Sequence, residues 1–180
     1  MPVVAEAERV STLRQWGVSE PLTRLSCGEV LHEQFNDSCL GPPWYVYHGS
    51  VAAPDGPPLA VLWEWSEQVT GVWQRGGGLE FIRYRFGWPE EFEVLARTEQ
   101  GFWSTQFDFL YECEAPVDEL RAAASAVEFR FLERHLASRA AAELRLGRFE
   151  GHRAWLRELV ACIDRDTQDA EPASAPDPAN

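Results

Sequence analysis

The central stretch, Pro58 to Cys113, reads PLAVLWEWSEQVTGVWQRGGGLEFIRYRFGWPEEFEVLARTEQGFWSTQFDFLYEC. Apolar residues occupy every second position at its start: Leu59, Val61, Trp63 and Trp65. A second alternating run, Leu79 to Phe86, follows the three glycines at 76–78. Alternation with a period of two is typical of half-buried strands, and glycines between two such runs indicate a turn. The stretch therefore predicts an antiparallel meander, with further strands over residues 70–73 and 92–96.

A helix is expected to close the meander, beginning after Thr98 and ending at Cys113. Thr98 is a typical N-cap residue, and Glu99 is favourable at the positive end of a helix. Apolar residues cover more than half of this helix's circumference, a wider stripe than packing on one sheet requires. We therefore expect the helix to be sandwiched between the sheet and two C-terminal helices, predicted over residues 117–146 and 152–163.

The other segments complete one α+β domain over residues 1–165. Helices are predicted over residues 5–16 and from Ser19, as N-cap, to Leu25. Residues 44–48 are rich in aromatic and β-branched side chains and favour a strand, while residues 29–35 are compatible with strand or helix. Residues 166–180 contain three prolines and no basic residue, and they are predicted to be a disordered acidic tail.

The charge of the chain limits its partners. There are 29 acidic and 16 basic residues, every basic one an arginine, and the formal net charge is −13. Nucleic acids and anionic membranes are bound through lysine and arginine, so we expect neither as a partner. The charge suits a basic protein, through long-range steering; solubility alone is the alternative explanation.

The cysteines and the N-terminus indicate a compartment. The four cysteines are Cys27, Cys39, Cys113 and Cys162. They lack the close spacing of a metal or redox motif, and we expect no metal and no cofactor. Residues 1–6 lack the basic start and apolar run of a signal peptide, and no apolar run approaches the ~20 residues that span a bilayer. A cytoplasmic protein with reduced thiols is the simplest prediction.

A search for catalytic motifs is largely negative. The sequence has no nucleophile elbow, zinc-binding His-Glu-x-x-His, phosphate loop or dinucleotide fingerprint. Cys27 and His32 could form a thiol–imidazole pair, but no third residue orients them. The remaining histidines have no metal-ligand spacing: His48, His135 and His152. We therefore expect a protein that is not an enzyme.

A partner-binding patch is predicted around the turns of the meander. Trp63 and Trp65 share a face with Val61 and are expected in the core, whereas Glu64 lies on the opposite face, where Arg83 or Arg85 could pair with it. Residues 88–91 are predicted as a turn. Turn-borne carboxylates beside an exposed aromatic side chain suit a basic protein. The predicted site residues are Glu64, Glu67, Trp88, Glu90, Glu91 and Glu93. A merely soluble loop surface is the alternative.

The element order and two short motifs resemble the SUKH superfamily, which includes bacterial immunity proteins and the yeast cell-wall-synthesis regulator. The segment WGV at 16–18, followed by PL at 21–22, is similar to the family's early Gly-apolar-Pro element. The segment LART at 95–98, followed by EQGF at 99–102, is similar to a family strand that ends in a small residue and Ser or Thr before an aromatic helix. The resemblance covers about residues 10–113. It makes residues 1–113 a SUKH-like core and residues 117–165 a helical extension.

The resemblance implies a non-enzymatic protein that binds and blocks a bacterial toxin, and many such toxins are basic nucleases. We therefore expect an immunity-type protein that neutralises a toxin by occluding it. One alternative is a regulatory or scaffold module that docks through its C-terminal helices. A thiol or carboxylate hydrolase is a further, less favoured one.

Overall fold

The computed structural model describes residues 3–49, 51–143 and 149–170, and these have the α+β architecture that the sequence predicts. Four strands form one antiparallel meander: β1 Ala60–Trp65, β2 Gln68–Arg75, β3 Gly78–Arg85 and β4 Trp88–Ala96. The described ranges also contain seven α-helices: α1 Arg9–Gln15, α2 Glu20–Ser26, α3 Tyr45–His48, α4 Glu99–Glu112, α5 Val117–Ala126, α6 Leu132–Glu143 and α7 Phe149–Ala170. None of these helices combines the length and the apolar character that crossing a membrane requires.

The glycine turn of the meander is confirmed, and the turn predicted at 88–91 is wrong. Gly76-Gly77 connects β2 to β3 with φ angles of 61° and 85°, a left-handed conformation that glycine adopts without steric cost. Residues 88–91 instead begin β4. The chain turns earlier, at Phe86-Gly87. Between the pairs Arg83–Glu93 and Arg85–Trp88 the register shifts, because β4 has more residues there than β3.

An irregularity in β1 overturns the predicted alternation of its side chains. The register with β2 shifts between Val61 and Trp63, so these two side chains lie on opposite faces of the sheet. Trp63 belongs to the main core, with its ring 5.7 Å from that of Phe102, whereas Val61 belongs to a smaller cluster on the other face. Trp65, expected in the core, is 41% exposed. The prediction that the three side chains share one buried face is therefore wrong.

Helix α4 lies between the sheet and the C-terminal helices, as its wide apolar stripe predicts. On the sheet side, Phe102 stacks on Phe81 of β3 with ring centroids 4.6 Å apart. On the other side, Asp164 of α7 accepts hydrogen bonds from the backbone N–H groups of Arg97 (2.8 Å) and Thr98 (2.9 Å). The Thr98 side chain accepts from the N–H three residues on, which confirms the predicted N-cap. A carboxylate of α7 thus adds to the cap of α4.

The C-terminal helices differ in extent from the prediction. Residues 117–146 were expected to form one helix, but α5 ends before Glu128, whose φ of 57° is left-handed, and α6 begins after it. The last helix, α7, extends beyond the predicted 152–163 at both ends. The start of the predicted tail, residues 166–170, is therefore helical. Residues 144–146 and 171–180 lie outside the described part of the chain.

The N-terminal segments agree with the prediction except at residues 44–48. Helix α2 is capped by Ser19, whose Oγ accepts from the backbone N–H of Leu22 at 3.3 Å. The ambiguous segment 29–35 contains a single 3-10 turn, Glu33–Phe35. The predicted strand at 44–48 is wrong, because these residues form the one-turn helix α3. The side chains of Val46, Val51 and Ala53 pack on the second face of the sheet.

Candidate functional site

Two of the three meander turns meet at one end of the sheet, which we call the turn end. The β1–β2 and β3–β4 turns are joined directly, because the Phe86 backbone N–H donates to the Glu67 carbonyl oxygen at 2.8 Å. The β2–β3 turn lies at the other end. Helix α3 also reaches the turn end, where the Tyr45 ring lies 5.5 Å from that of Phe86.

Exposed aromatic side chains are concentrated at the turn end. Among the residues whose side-chain burial is described, four such side chains occur: Trp44 (63% exposed), Tyr45 (56%), Trp65 (41%) and Trp88 (56%). The last cross-strand row at the turn end runs from Trp65 on β1, through β2 and β3, to Trp88 on β4. Trp65 contacts Phe109, so this row faces α4. Exposed Trp and Tyr side chains are enriched at protein interaction sites. We define the turn-end surface as Trp44, Tyr45, Trp65, Glu67, Trp88, Glu90 and Glu91.

The β1–β2 turn holds an unfavourable backbone conformation within this surface. Ser66 and Glu67 have φ angles of 48° and 62°. The left-handed conformation costs an L-residue other than glycine about 1–2 kcal/mol, and two-residue turns with this geometry favour Asn-Gly. The fold therefore carries a local cost where the Glu67 carboxylate is presented to solvent.

Four of the six predicted site residues lie together at the turn end. Trp88 is exposed, and so are the carboxylates of Glu67, Glu90 and Glu91. Within the described ranges, none of the three carboxylates forms a hydrogen bond or an ion pair. They are therefore available to charges on another molecule.

Glu64 does not belong to this group, and the prediction that it pairs with Arg83 or Arg85 is wrong. Its carboxylate accepts three backbone hydrogen bonds from the start of α3: from Trp44 (2.9 Å), Tyr45 (2.8 Å) and Val46 (2.7 Å). These N–H groups have no partner within the helical turn, so Glu64 caps the N-terminus of α3 although it lies some twenty residues later in the sequence. It positions Trp44 and Tyr45 instead of facing a partner itself.

Glu93 is also engaged within the protein. Its two carboxylate oxygens accept hydrogen bonds from different arginines, Arg83 of β3 at 3.2 Å and Arg153 of α7 at 3.1 Å. Burial alone would raise the pKa of Glu93, but the two guanidinium groups outweigh burial and hold the pKa below its usual value. The carboxylate is therefore ionised and neutralised, which removes it from the predicted acidic patch.

The Cys27–His32 pair is not assembled. His32 Nδ1 accepts a hydrogen bond from the Gln34 backbone N–H at 3.3 Å, and its Nε2 lies 3.5 Å from the Glu119 carboxylate. Both ring nitrogens therefore face groups other than the Cys27 thiol.

A buried polar network joins α4, α6 and α7, and the sequence reasoning missed it. Asp108 of α4 is bonded to the Arg139 guanidinium and, at 2.7 Å, to His152 Nε2. His135 Nδ1 lies 2.9 Å from Ser104 Oγ, and its Nε2 lies 3.8 Å from the Asp108 carboxylate. The helical spacing of four between His135 and Arg139 was the available signal, since it places both on one face of α6.

The Ser104–His135–Asp108 part of this network is buried. Ser104 and His135 are fully buried, and Asp108 is 5% exposed. Burial lowers the pKa of His135 to about 4, because burial outweighs the attraction of the Asp108 carboxylate. The imidazole is thus neutral at ordinary pH, and the Ser–His–Asp arrangement fastens helices together. Nowhere in the described ranges do three or more His, Cys, Asp or Glu side chains form a group that could hold a metal ion.

Comparison of the chain with family models, with curated proteins and with solved structures finds no match.

Proposed function

We propose that this protein binds a basic protein through its turn-end surface and blocks that protein's action. The supporting observation is that the exposed aromatic side chains and three unpaired carboxylates lie at one end of a packed sheet. Trp and Tyr are enriched among the residues that dominate binding energy at protein interfaces. Because these four side chains are 41–63% exposed, covering one removes roughly half of the about 150–250 Å² that complete burial removes from water. Carboxylates around them accelerate encounter with a positively charged partner.

The partner we propose is a bacterial toxin, and the protein would neutralise it in the manner of an immunity protein. This part of the proposal rests on the SUKH resemblance of residues 10–113. A net charge of −13 suits a nuclease-like toxin, whose phosphate-binding surface is basic. The four cysteines are free thiols, which supports a reducing compartment such as the cytoplasm.

The test compares two double charge reversals that change the net charge equally. Glu90→Arg with Glu91→Arg alters the turn-end surface, whereas Glu158→Arg with Asp169→Arg alters exposed positions of α7. The partner is first captured from the native host's lysate at low salt and identified by mass spectrometry. Binding kinetics are then measured for each variant over a range of salt concentrations.

We expect the turn-end reversal to slow association by about tenfold or more and to weaken its salt dependence. The α7 reversal should have little effect on either quantity. Trp88→Ala should raise the dissociation rate by about tenfold or more, the usual effect of removing an interface anchor. Unchanged kinetics in the turn-end variants would remove this surface from consideration.

The α7 charge reversal, Glu158→Arg with Asp169→Arg, also distinguishes this proposal from docking through residues 117–165. At residues 117–142 and 151–170, where side-chain burial is described, α5, α6 and α7 carry no exposed aromatic side chain. Deleting these helices would not isolate their role, because Asp164 of α7 bonds the start of α4. Loss of binding in the α7 reversal alone would favour the C-terminal docking alternative.

A further inference from the structure

A cleft of about 90 Å³ lies between the β3–β4 pair and helix α7. Its polar lining consists of Arg83, Glu93, Thr105, Arg153 and Arg157. Three arginines against one glutamate give this cleft a local charge of +2 in a chain whose net charge is −13. The cleft is therefore an exception to the acidic character of the molecule.

Glu93 bonds two of these arginines and uses only one donor of Arg83. It bonds only Nη2 of Arg83 and Nη2 of Arg153. A guanidinium group has five N–H donors arranged in a rigid fork. The remaining donors of Arg83 have no protein acceptor in the described ranges. Glu93 thus orients the Arg83 guanidinium at the cleft and leaves its other donors for another acceptor.

Two further groups in the cleft are free to bond a ligand. Arg157 of α7 forms no ion pair or hydrogen bond within the described ranges, and the Thr105 hydroxyl of α4 makes none there either. Leucine and valine side chains complete the wall, including Leu156 and Val160. An apolar wall strengthens a charge-assisted hydrogen bond, because it lowers the local dielectric constant.

A second hollow lies beside the first, and Arg83 and Thr105 line both. Its lining includes Trp65 and the ring of Phe109, whose centroids are 5.0 Å apart. The cleft therefore has a cationic half and an adjoining aromatic half. A ligand that fits both halves has an anionic group next to an apolar body.

We propose that the cleft binds a carboxylate-bearing ligand, with the carboxylate between Arg83 and Arg157 and its apolar body against Trp65. Planar guanidinium groups match a carboxylate through paired N–H···O bonds. The carboxylate can come from a free organic acid or from the C-terminus of a polypeptide. This site does not require the proposed toxin partner.

The test uses small probes that differ only in the anionic group. Phenylacetate is compared with phenylacetamide, and acetyl-glycyl-phenylalanine with its C-terminal amide, by calorimetry and by tryptophan fluorescence at low salt. We expect saturable binding of at least one acid and no binding of the matching amide. Binding of phenylacetate identifies a free acid as sufficient, whereas binding of the peptide acid alone identifies a chain terminus.

Matched variants complete the experiment. Arg157→Gln should weaken binding of the acid by at least about tenfold, because one charge-assisted bond is lost. Arg165→Gln removes an exposed arginine of the same helix outside the cleft and should leave affinity unchanged. Circular dichroism checks that both variants are folded. The proposal is overturned if neither acid binds at about 10 mM, if the amides bind equally well, or if Arg157→Gln binds like the original protein.

Discussion

Acidification should destabilise this protein through His135, and the size of the effect follows from its surroundings. The imidazole is packed against Ser104, the Asp108 carboxylate and the Trp155 ring. Burial lowers its pKa from 6.5 to about 4. Between these two pKa values, His135 is protonated in the unfolded chain and neutral in the folded chain. Burial of the neutral His135 imidazole therefore leaves the free energy of unfolding unreduced above about pH 6.5. The free energy of unfolding then decreases as the pH falls towards 4, because protonation favours the unfolded chain.

The magnitude is about 2.5 kcal/mol between about pH 7.5 and about pH 4.5, from linkage with these two pKa values. For a chain of this length, it corresponds to a decrease of roughly 5–10 °C in the melting temperature. The measurement is urea unfolding, followed by circular dichroism, at a series of pH values. Other groups titrate in this range, so the decisive quantity is the difference between the original protein and a variant.

His135→Gln retains an amide that can bond Ser104 and removes the titration. We expect it to lose about 2.5 kcal/mol less than the original protein over this pH interval, even if it is less stable at neutral pH. His48→Gln, which removes an exposed imidazole instead of the buried one, is the matched control. Equal pH dependence in the original protein and His135→Gln would refute the assignment of a buried neutral imidazole.

Three further predictions concern other parts of the fold. Asp164→Ala should lower the free energy of unfolding by about 1–3 kcal/mol in urea titrations, because two backbone N–H groups at the start of α4 lose their acceptor; a smaller loss would mean that water replaces the carboxylate. The double change Ser66→Asn with Glu67→Gly should raise the free energy of unfolding by about 1–2 kcal/mol, since both new residues tolerate left-handed φ; a decrease would argue against strain in this turn. Burial raises the pKa of the Cys39 thiol to about 12, so Ellman's reagent should label the exposed Cys27 in the native protein and not Cys39; rapid labelling of Cys39 would contradict its burial.

Sequence patterns predicted the helices, strands and turns whose conformation is determined by neighbouring residues in the sequence. The meander followed from alternation and from Gly76-Gly77, and the caps Ser19 and Thr98 were identified because each acts on its own helix. The same patterns failed where a distant residue determines the conformation. Residues 44–48 form α3 because Glu64 supplies three acceptors from β1. Local propensity favoured a strand there, and tertiary hydrogen bonding prevailed.

Only some of the predicted site residues lie together and unpaired, for a related reason. Exposed residues of a strand or turn can be identified from position, and Glu67, Trp88, Glu90 and Glu91 are exposed at one end of the sheet. Whether a carboxylate is free depends on what approaches it from elsewhere in the chain. Arg153 reaches Glu93 from α7, sixty residues later. Such pairings have no signature in the spacing of either residue.

The two proposed sites share a side chain, and this leads to one further prediction. Trp65 belongs to the turn-end surface and also lines the hollow that adjoins the arginine cleft. A protein that covers Trp65 removes the apolar contact that the carboxylate ligand requires. If both proposals hold, a saturating acid should weaken binding of the protein partner, and the partner should weaken binding of the acid by the same factor. Calorimetry in both orders measures the two factors, and Trp65→Ala should abolish the coupling. Independent binding of acid and partner would mean that the partner leaves Trp65 uncovered and contacts the other side of the turn end, around Trp44 and Tyr45.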